Sequence, residues 1–166
     1  MDTEGEWLEA DQLRSWLAVV SILDAIPNAI DAQLKRDASL NHFEYSIIAG
    51  LTRGADRTLA MSDLATIAFG SLSRLSHAVD RLEKRGLVER CEGAKAHRNA
   101  VRLTDLGQEH LETVAPSHVR EVRRLLVDPL TEDEFAMLGS IARKVLEKAD
   151  PKRAEVLRRM VDEPEP

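Results

Sequence analysis

The sequence predicts a mostly α-helical fold with one small β-hairpin set among its helices. Three observations predict it. Apolar residues recur at three-to-four spacing from Leu13 to Leu34. Asn41-x-x-Glu44 and Thr131-x-x-Glu134 have the form of helix-capping boxes. Residues 87–91 and 99–103 alternate apolar and polar side chains on either side of a polar loop containing Gly93.

From Leu13, the residues Trp16, Leu17, Val20, Leu23, Pro27, Ile30 and Leu34 form one apolar seam, so a long amphipathic helix is expected. The seam keeps its phase across Pro27, which should therefore kink the helix without ending it. Asn41 and Glu44 open a second helix, expected to run to about Arg53 and stop at Gly54. Thr58 to Met61 is too short for a helix and reads as a brief strand. Ser62 is then expected to cap a short helix through Ala68, with a turn at Phe69-Gly70. Ser71 caps the next helix, which runs to Arg85 and stops at Gly86, the residue type best suited to a left-handed helix end. The hairpin follows. Thr104 caps a long helix, bent at Pro116 and continuing to Val127, and Asp128-Pro129 breaks it. Thr131 opens a helix through Lys148, and Asp150-Pro151 starts a last short one to Met160. Residues 161–166 should form a disordered tail.

Bulk properties bound what such a chain can do. With 166 residues and 43% hydrophobic content it can build one packed core, so a single domain is expected over 1–166. Aromatic content of 4% argues against a carbohydrate cleft or a stacking platform for single strands. Cys91 is the only cysteine, which excludes an internal disulfide and a cysteine-based zinc site. The acidic start, Met1 to Glu6, lacks the basic and apolar regions of a signal peptide. The longest apolar run, Trp16 to Ile22, is broken by Ser21 and is far shorter than a membrane span. A cytoplasmic protein without membrane partners is expected.

Charge distribution carries more information than total charge. The net charge is −6, yet residues 71–104 hold eight Lys or Arg against four Asp or Glu. That segment is +4, and the rest of the chain is −10. On a wheel of about 100° per residue, Leu72, Leu75, Val79 and Leu82 fall on one side and should face the core. Ser73, Arg74, His77, Arg81 and Lys84 fall on the other. Small hydrogen-bonding side chains followed by cations suit a helix entering a major groove, where Arg reads guanine edges. A cationic outer face alone is more often a solvated face. Here it sits between a short helix with a tight turn and a basic hairpin, the order of a winged helix-turn-helix with long flanking helices.

The residues Leu59-Ala60-Met61-Ser62-Asp63-Leu64-Ala65, Ser71-Leu72-Ser73-Arg74-Leu75-Ser76-His77 and Asp80-Arg81-Leu82-Glu83-Lys84-Arg85-Gly86-Leu87-Val88 resemble the core of the MarR family. Leu103-Thr104-Asp105-Leu106-Gly107 resembles the end of that family's wing and the start of its fifth helix. His42-Phe43-Glu44-Tyr45, Ala115-Pro116-Ser117-His118-Val119 and Asp128-Pro129-Leu130-Thr131 resemble an actinobacterial-type branch. The likeness spans about Leu13 to Leu146. It implies a ligand-responsive repressor acting as a homodimer on double-stranded DNA at a palindromic operator, with half-sites roughly 34 Å apart. By the same resemblance, residues 41–104 would form the DNA-binding lobe, and 8–37 with 105–160 the helical dimerisation region. Ser62, Ser71, Ser73, Arg74, His77 and Arg81 would contact DNA from the helix-turn-helix. From the wing, Lys95, His97 or Arg98 would reach the minor groove. The wing tip departs from the family's Asp-any-Arg pattern, which leaves the choice among these three open.

A small aromatic or phenolic effector is a further implication, with Trp16, His42, Tyr45 and His118 as candidate lining residues. The plainer alternative is that these four pack a helix junction. Of the five histidines no two have helical metal-ligand spacing, so neither a metal nor a cofactor is expected, although His42 and His118 could converge. Cys91 reads as an ordinary strand cysteine. No nucleophile–base pair or phosphate-cradling loop is visible, so an enzyme is not expected. The rival reading is a helical interaction module that dimerises but has lost DNA binding.

Overall fold

A computed structural model of the chain describes residues 7–91 and 99–162. Helix α1 (Ala10–Ala38) leads to α2 (His42–Leu51), a 3₁₀ turn (Ala55–Arg57), strand β1 (Thr58–Ala60), and helices α3 (Met61–Ile67) and α4 (Leu72–Lys84). Strands β2 (Val88–Cys91) and β3 (Ala100–Leu103) follow, then α5 (Asp105–Val122), α6 (Glu132–Ala149) and α7 (Pro151–Asp162). The three strands form one antiparallel sheet in the order β1-β3-β2, with Val88 opposite Leu103 and Cys91 opposite Ala100. The fold class is the one expected: mostly α, with a winged helix-turn-helix and long terminal helices.

Local chemistry sets most boundaries. Asn41 and Glu44 close a reciprocal capping box, and so do Thr131 and Glu134. The hydroxyls of Ser71 and Thr104 accept from the backbone N–H groups of Arg74 and Gly107. Gly86 adopts φ 72°; its N–H donates to Glu83 O, and Leu87 N–H donates to Leu82 O, which completes a Schellman end for α4. Pro27 and Pro116 both lie inside continuous helices, and α5 passes through a π-helical turn over Arg123–Val127.

Three boundaries differ from expectation. Ser62 does not cap α3. The strand runs straight into the helix, Ala60 stands at the cap position, and Met61 N–H is held by Asn99 O at 2.9 Å. Helix α2 ends at Leu51 because Arg53 and Gly54 tighten into bonds three residues back. Helix α7 extends to Asp162, two residues into the stretch expected as tail, while residues 163–166 lie outside the described ones.

The core joins the second half of α1 to the winged lobe. Leu34, Leu40, Ile47, Ile48, Leu51, Leu64, Leu75, Val79, Leu82, Val88, Val101 and Leu103 are all fully buried. Each such side chain contributes about 1.5–3 kcal/mol by leaving water. Leu72, placed on the core side by the wheel, is instead 57% exposed, and Ala78 takes the buried position. A wheel gives direction but not extent: Leu72 is the first residue of α4, at the edge of what the helix covers.

Within one chain, the expected seam of α1 is buried only at its far end, at Ile30 and Leu34. Leu13, Trp16, Leu17, Val20 and Leu23 are exposed, and so are Phe135, Leu138, Ile141 and Val145 of α6, a helix with no buried residue. One 18-residue window of α1 is apolar enough to cross a membrane by length and composition, a longer apolar stretch than the run Trp16 to Ile22 suggested. Helix α7 folds back toward α3, with Ala154 buried and the Arg153 guanidinium 4.7 Å from the Phe69 ring centre.

Candidate nucleic-acid interface and the cleft behind it

Helix α4 presents its polar face outward because its other face is anchored by Leu75, Ala78, Val79 and Leu82. Ser71, Ser73, Arg74, His77, Arg81 and Lys84 are all exposed. At about 100° per residue, Ser73, His77 and Lys84 lie opposite the buried row. Arg74 and Arg81 lie on the flank that faces α2. Both are engaged there. The Arg74 guanidinium stacks 4.1 Å from the Phe43 ring centre. Arg81 Nε donates to Glu44 Oε1 at 2.7 Å, and the Glu44 side chain is only 8% exposed. Ser62 lies exposed in the first turn of α3, its hydroxyl 3.3 Å from Asp63 Oδ1. Lys95, His97 and Arg98 lie outside the described residues.

The basic surplus of residues 71–104 is largely committed to holding the lobe together. Besides Arg81, Arg90 reaches from β2 to Asp80 at 2.5 Å and to Glu83 at 3.6 Å. The donated hydrogen bond from Arg90 holds the Asp80 carboxyl below its ordinary value. Arg102 pairs with Glu89 across the β2–β3 ladder. Arg85 turns away from the outer face and donates to the carbonyls of Ser39 and Ala38. None of these partners is visible to a count of charges along the sequence.

Behind α4 lies an open cleft of about 480 Å³, walled by Asn28 and Asp31 of α1, His42, Phe43 and Ser46 of α2, Phe69 of the turn, and Arg74. Asp31 orients its floor: Oδ1 accepts from His42 N–H at 2.9 Å, and Oδ2 pairs with Lys35 at 2.5 Å. The Lys35 hydrogen bond, then the His42 amide, keep the Asp31 carboxyl below its ordinary range.

Three of the four candidate effector residues meet. The Tyr45 and His118 rings are 4.3 Å apart, and those of His42 and His118 are 6.4 Å apart. Of the three, only His42 lines the cleft. Burial holds both imidazoles below their ordinary value, and His118 Nδ1 is buried without a hydrogen-bond partner among the described residues. Trp16 does not join them. It precedes Asp31 by fifteen residues in a continuous helix, or roughly 22 Å along the axis. No group of three or more metal-ligating side chains forms among the described residues. Sequence reasoning missed the roles of Asp31, Phe43 and Phe69 and the bond from Arg81 to Glu44, which arise only from packing.

No protein-family model and no curated protein matches the chain. Solved structures do. A MarR family transcriptional regulator from Streptomyces coelicolor, Sco3205, solved in complex with DNA, is 38% identical with a TM-score of 0.82. That match covers 87% of this chain and 95% of the other. AbsC, also a MarR family transcriptional regulator of S. coelicolor, is 30% identical with a TM-score of 0.80, covering 86% of this chain and 97% of its own. Sco5413 from the same organism, at 18% identity and a TM-score of 0.71 over 85% of this chain and 96% of its own, shares the fold.

Proposed function

The chain belongs to the MarR family of transcriptional regulators, and from that premise we propose that it is a homodimeric repressor that reads a palindromic operator in double-stranded DNA. The observation that carries this reading is the outer face of α4. It is exposed from Ser73 to Lys84, opposite a row that is fully buried at Leu75, Val79 and Leu82. Ser73 and His77 stand at its centre, where a groove would be met, and Arg74 and Arg81 flank it as candidate base readers. Ser62 and the Ser71 turn are suited to phosphate contact, with Lys95, His97 or Arg98 completing the wing. The relative solved with DNA at 38% identity supports the same partner.

The dimer rests on the exposed apolar faces of α1 and α6. Trp16, Leu17 and Leu23 on one, and Phe135, Ile141 and Val145 on the other, are each at least 41% exposed. Contiguous apolar surface of this kind marks a docking face. A second copy would cover both, so residues 8–37 and 105–160 are assigned to dimerisation and 41–104 to DNA. Under this reading the protein would act in the cytoplasm. The apolar stretch of α1 is then a helix–helix seam.

The effector would occupy the cleft behind α4. Phe43 and Phe69 offer aromatic faces and Arg74 a cation, which together suit an aromatic acid or phenol. Trp16 would reach that region only from the partner copy.

A second reading retains the dimer without DNA. It is favoured by the internal commitment of Arg81, Arg85, Arg90 and Arg102 and by the net charge of −6. A duplex titration at several salt concentrations separates the two. A DNA binder loses affinity with a log–log slope of about −0.9 for each phosphate neutralised. A flat response, or no binding at low salt, would establish the second reading.

A further inference from the structure

The side chain of Arg85, at the end of α4, reaches the end of α1. Helix α1 stops at Ala38, and Ser39 turns left-handed at φ 53°. The last carbonyls of a helix have no partners within it and form the negative end of its dipole. Arg85 supplies the partners: Nη1 donates to Ser39 O at 2.8 Å and Nη2 to Ala38 O at 3.1 Å. The other end of this side chain is equally fixed, because Arg85 caps α4 and the Gly86-Leu87 Schellman turn locks its backbone.

We infer that Arg85 is a positioning residue that sets the spacing between the two recognition helices of the dimer without touching DNA. The inference rests on the dimeric DNA-binding reading above. Arg74 on Phe43, Arg81 on Glu44 and Arg90 on Asp80 fix α4 within its own lobe. The hydrogen bonds of Arg85 differ in kind: among those described, they alone run directly from α4 to α1. Since α1 is the helix whose exposed half faces the second copy, its frame is the frame of the dimer. Releasing Arg85 removes this tie at the end of α4, while buried Ile30 and Leu34 and the Asp31–His42 bond still hold α1 to the lobe, so the angle between them loosens without unfolding. One operator base pair corresponds to about 3.4 Å along the DNA and roughly 35° around it. Small rotations of the lobe therefore translate into a changed choice of spacing.

The test is a set of operators selected by the wild-type protein, rebuilt with one or two base pairs added or removed between half-sites. Wild type should prefer one spacing by about tenfold over its neighbours. Arg85→Ala should flatten that preference to within about twofold. Arg85→Lys reaches one carbonyl at a time, should fall between, and serves if the alanine variant folds poorly. An Arg85 variant that keeps the wild-type preference, or loses affinity equally at every spacing, overturns the inference. Absence of wild-type binding at any spacing overturns the DNA-binding reading and this inference with it.

Discussion

Glu44 joins the start of α2 to the recognition helix: its buried side chain accepts from Arg81 Nε at 2.7 Å and, through the other carboxylate oxygen, from Asn41 N–H at 3.1 Å. One side chain thus completes a helix cap and fixes the flank of α4. Replacing it by alanine removes both functions and leaves a backbone donor of the α2 cap unpaired.

Glu44→Ala should destabilise the fold by about 1–3 kcal/mol, read from urea midpoints. Arg81→Ala should cost less than the loss of the carboxylate, because Arg81 is 55% exposed and Glu44 retains its cap bond. A double-mutant cycle should give a coupling of about 0.5–3 kcal/mol. Additive effects would show that the pair does not position α4.

Leu72 and Leu75 test the depth of the core beneath α4. Leu72→Ala should change stability by no more than about 0.5 kcal/mol, whereas Leu75→Ala should cost about 2–5 kcal/mol. Equal costs would contradict the burial difference between the two.

Gly107 allows α5 to start against the hairpin. A β-carbon there would stand 2.0 Å from Leu87 O and 2.7 Å from Leu103 Cδ1. Gly107→Ala should therefore lower stability by at least about 1–3 kcal/mol, with the urea midpoint falling at an unchanged slope. A neutral effect would mean the backbone moves aside freely.

The histidine pair predicts a pH response. Burial holds His42 and His118 below 6.5, opposed at His42 by Asp31 and reinforced at His118 by His42. As pH falls through the ordinary value, the unfolded chain takes up these protons before the folded one. Their stabilisation is therefore complete above about pH 6.5 and is lost progressively below it. Urea midpoints should fall between about pH 7 and pH 5, before most carboxylates titrate. His118→Phe should reduce that fall. An unchanged fall would place its origin elsewhere.

What was legible in the sequence was local. Asn41 with Glu44, Ser71 with Gly86, Thr104, and Thr131 with Glu134 act within one helical turn, so residue type and spacing suffice to find them. The outer face of α4 was legible for the same reason. The partners of Arg81, Arg85, Arg90 and Arg102 were not, since they lie across the fold, up to 47 residues away in the case of Arg85. Leu72 was misplaced because periodicity does not mark where a neighbouring helix ends. Ser62 was misplaced because a strand can satisfy the first amide of a helix as well as a cap can. Trp16 lies on an exposed half of α1, where only a second chain could bring it to the other candidates.

Comparing the affinity of Arg74→Ala for a selected operator and for random duplex tests the groove-reading face most directly. A base-reading Arg74 predicts a loss of about 1–3 kcal/mol on the operator with random-duplex affinity retained. Equal losses on both would show that Arg74 meets only phosphate, and no loss on either would show that Arg74 does not meet DNA, contradicting its assignment as a base reader.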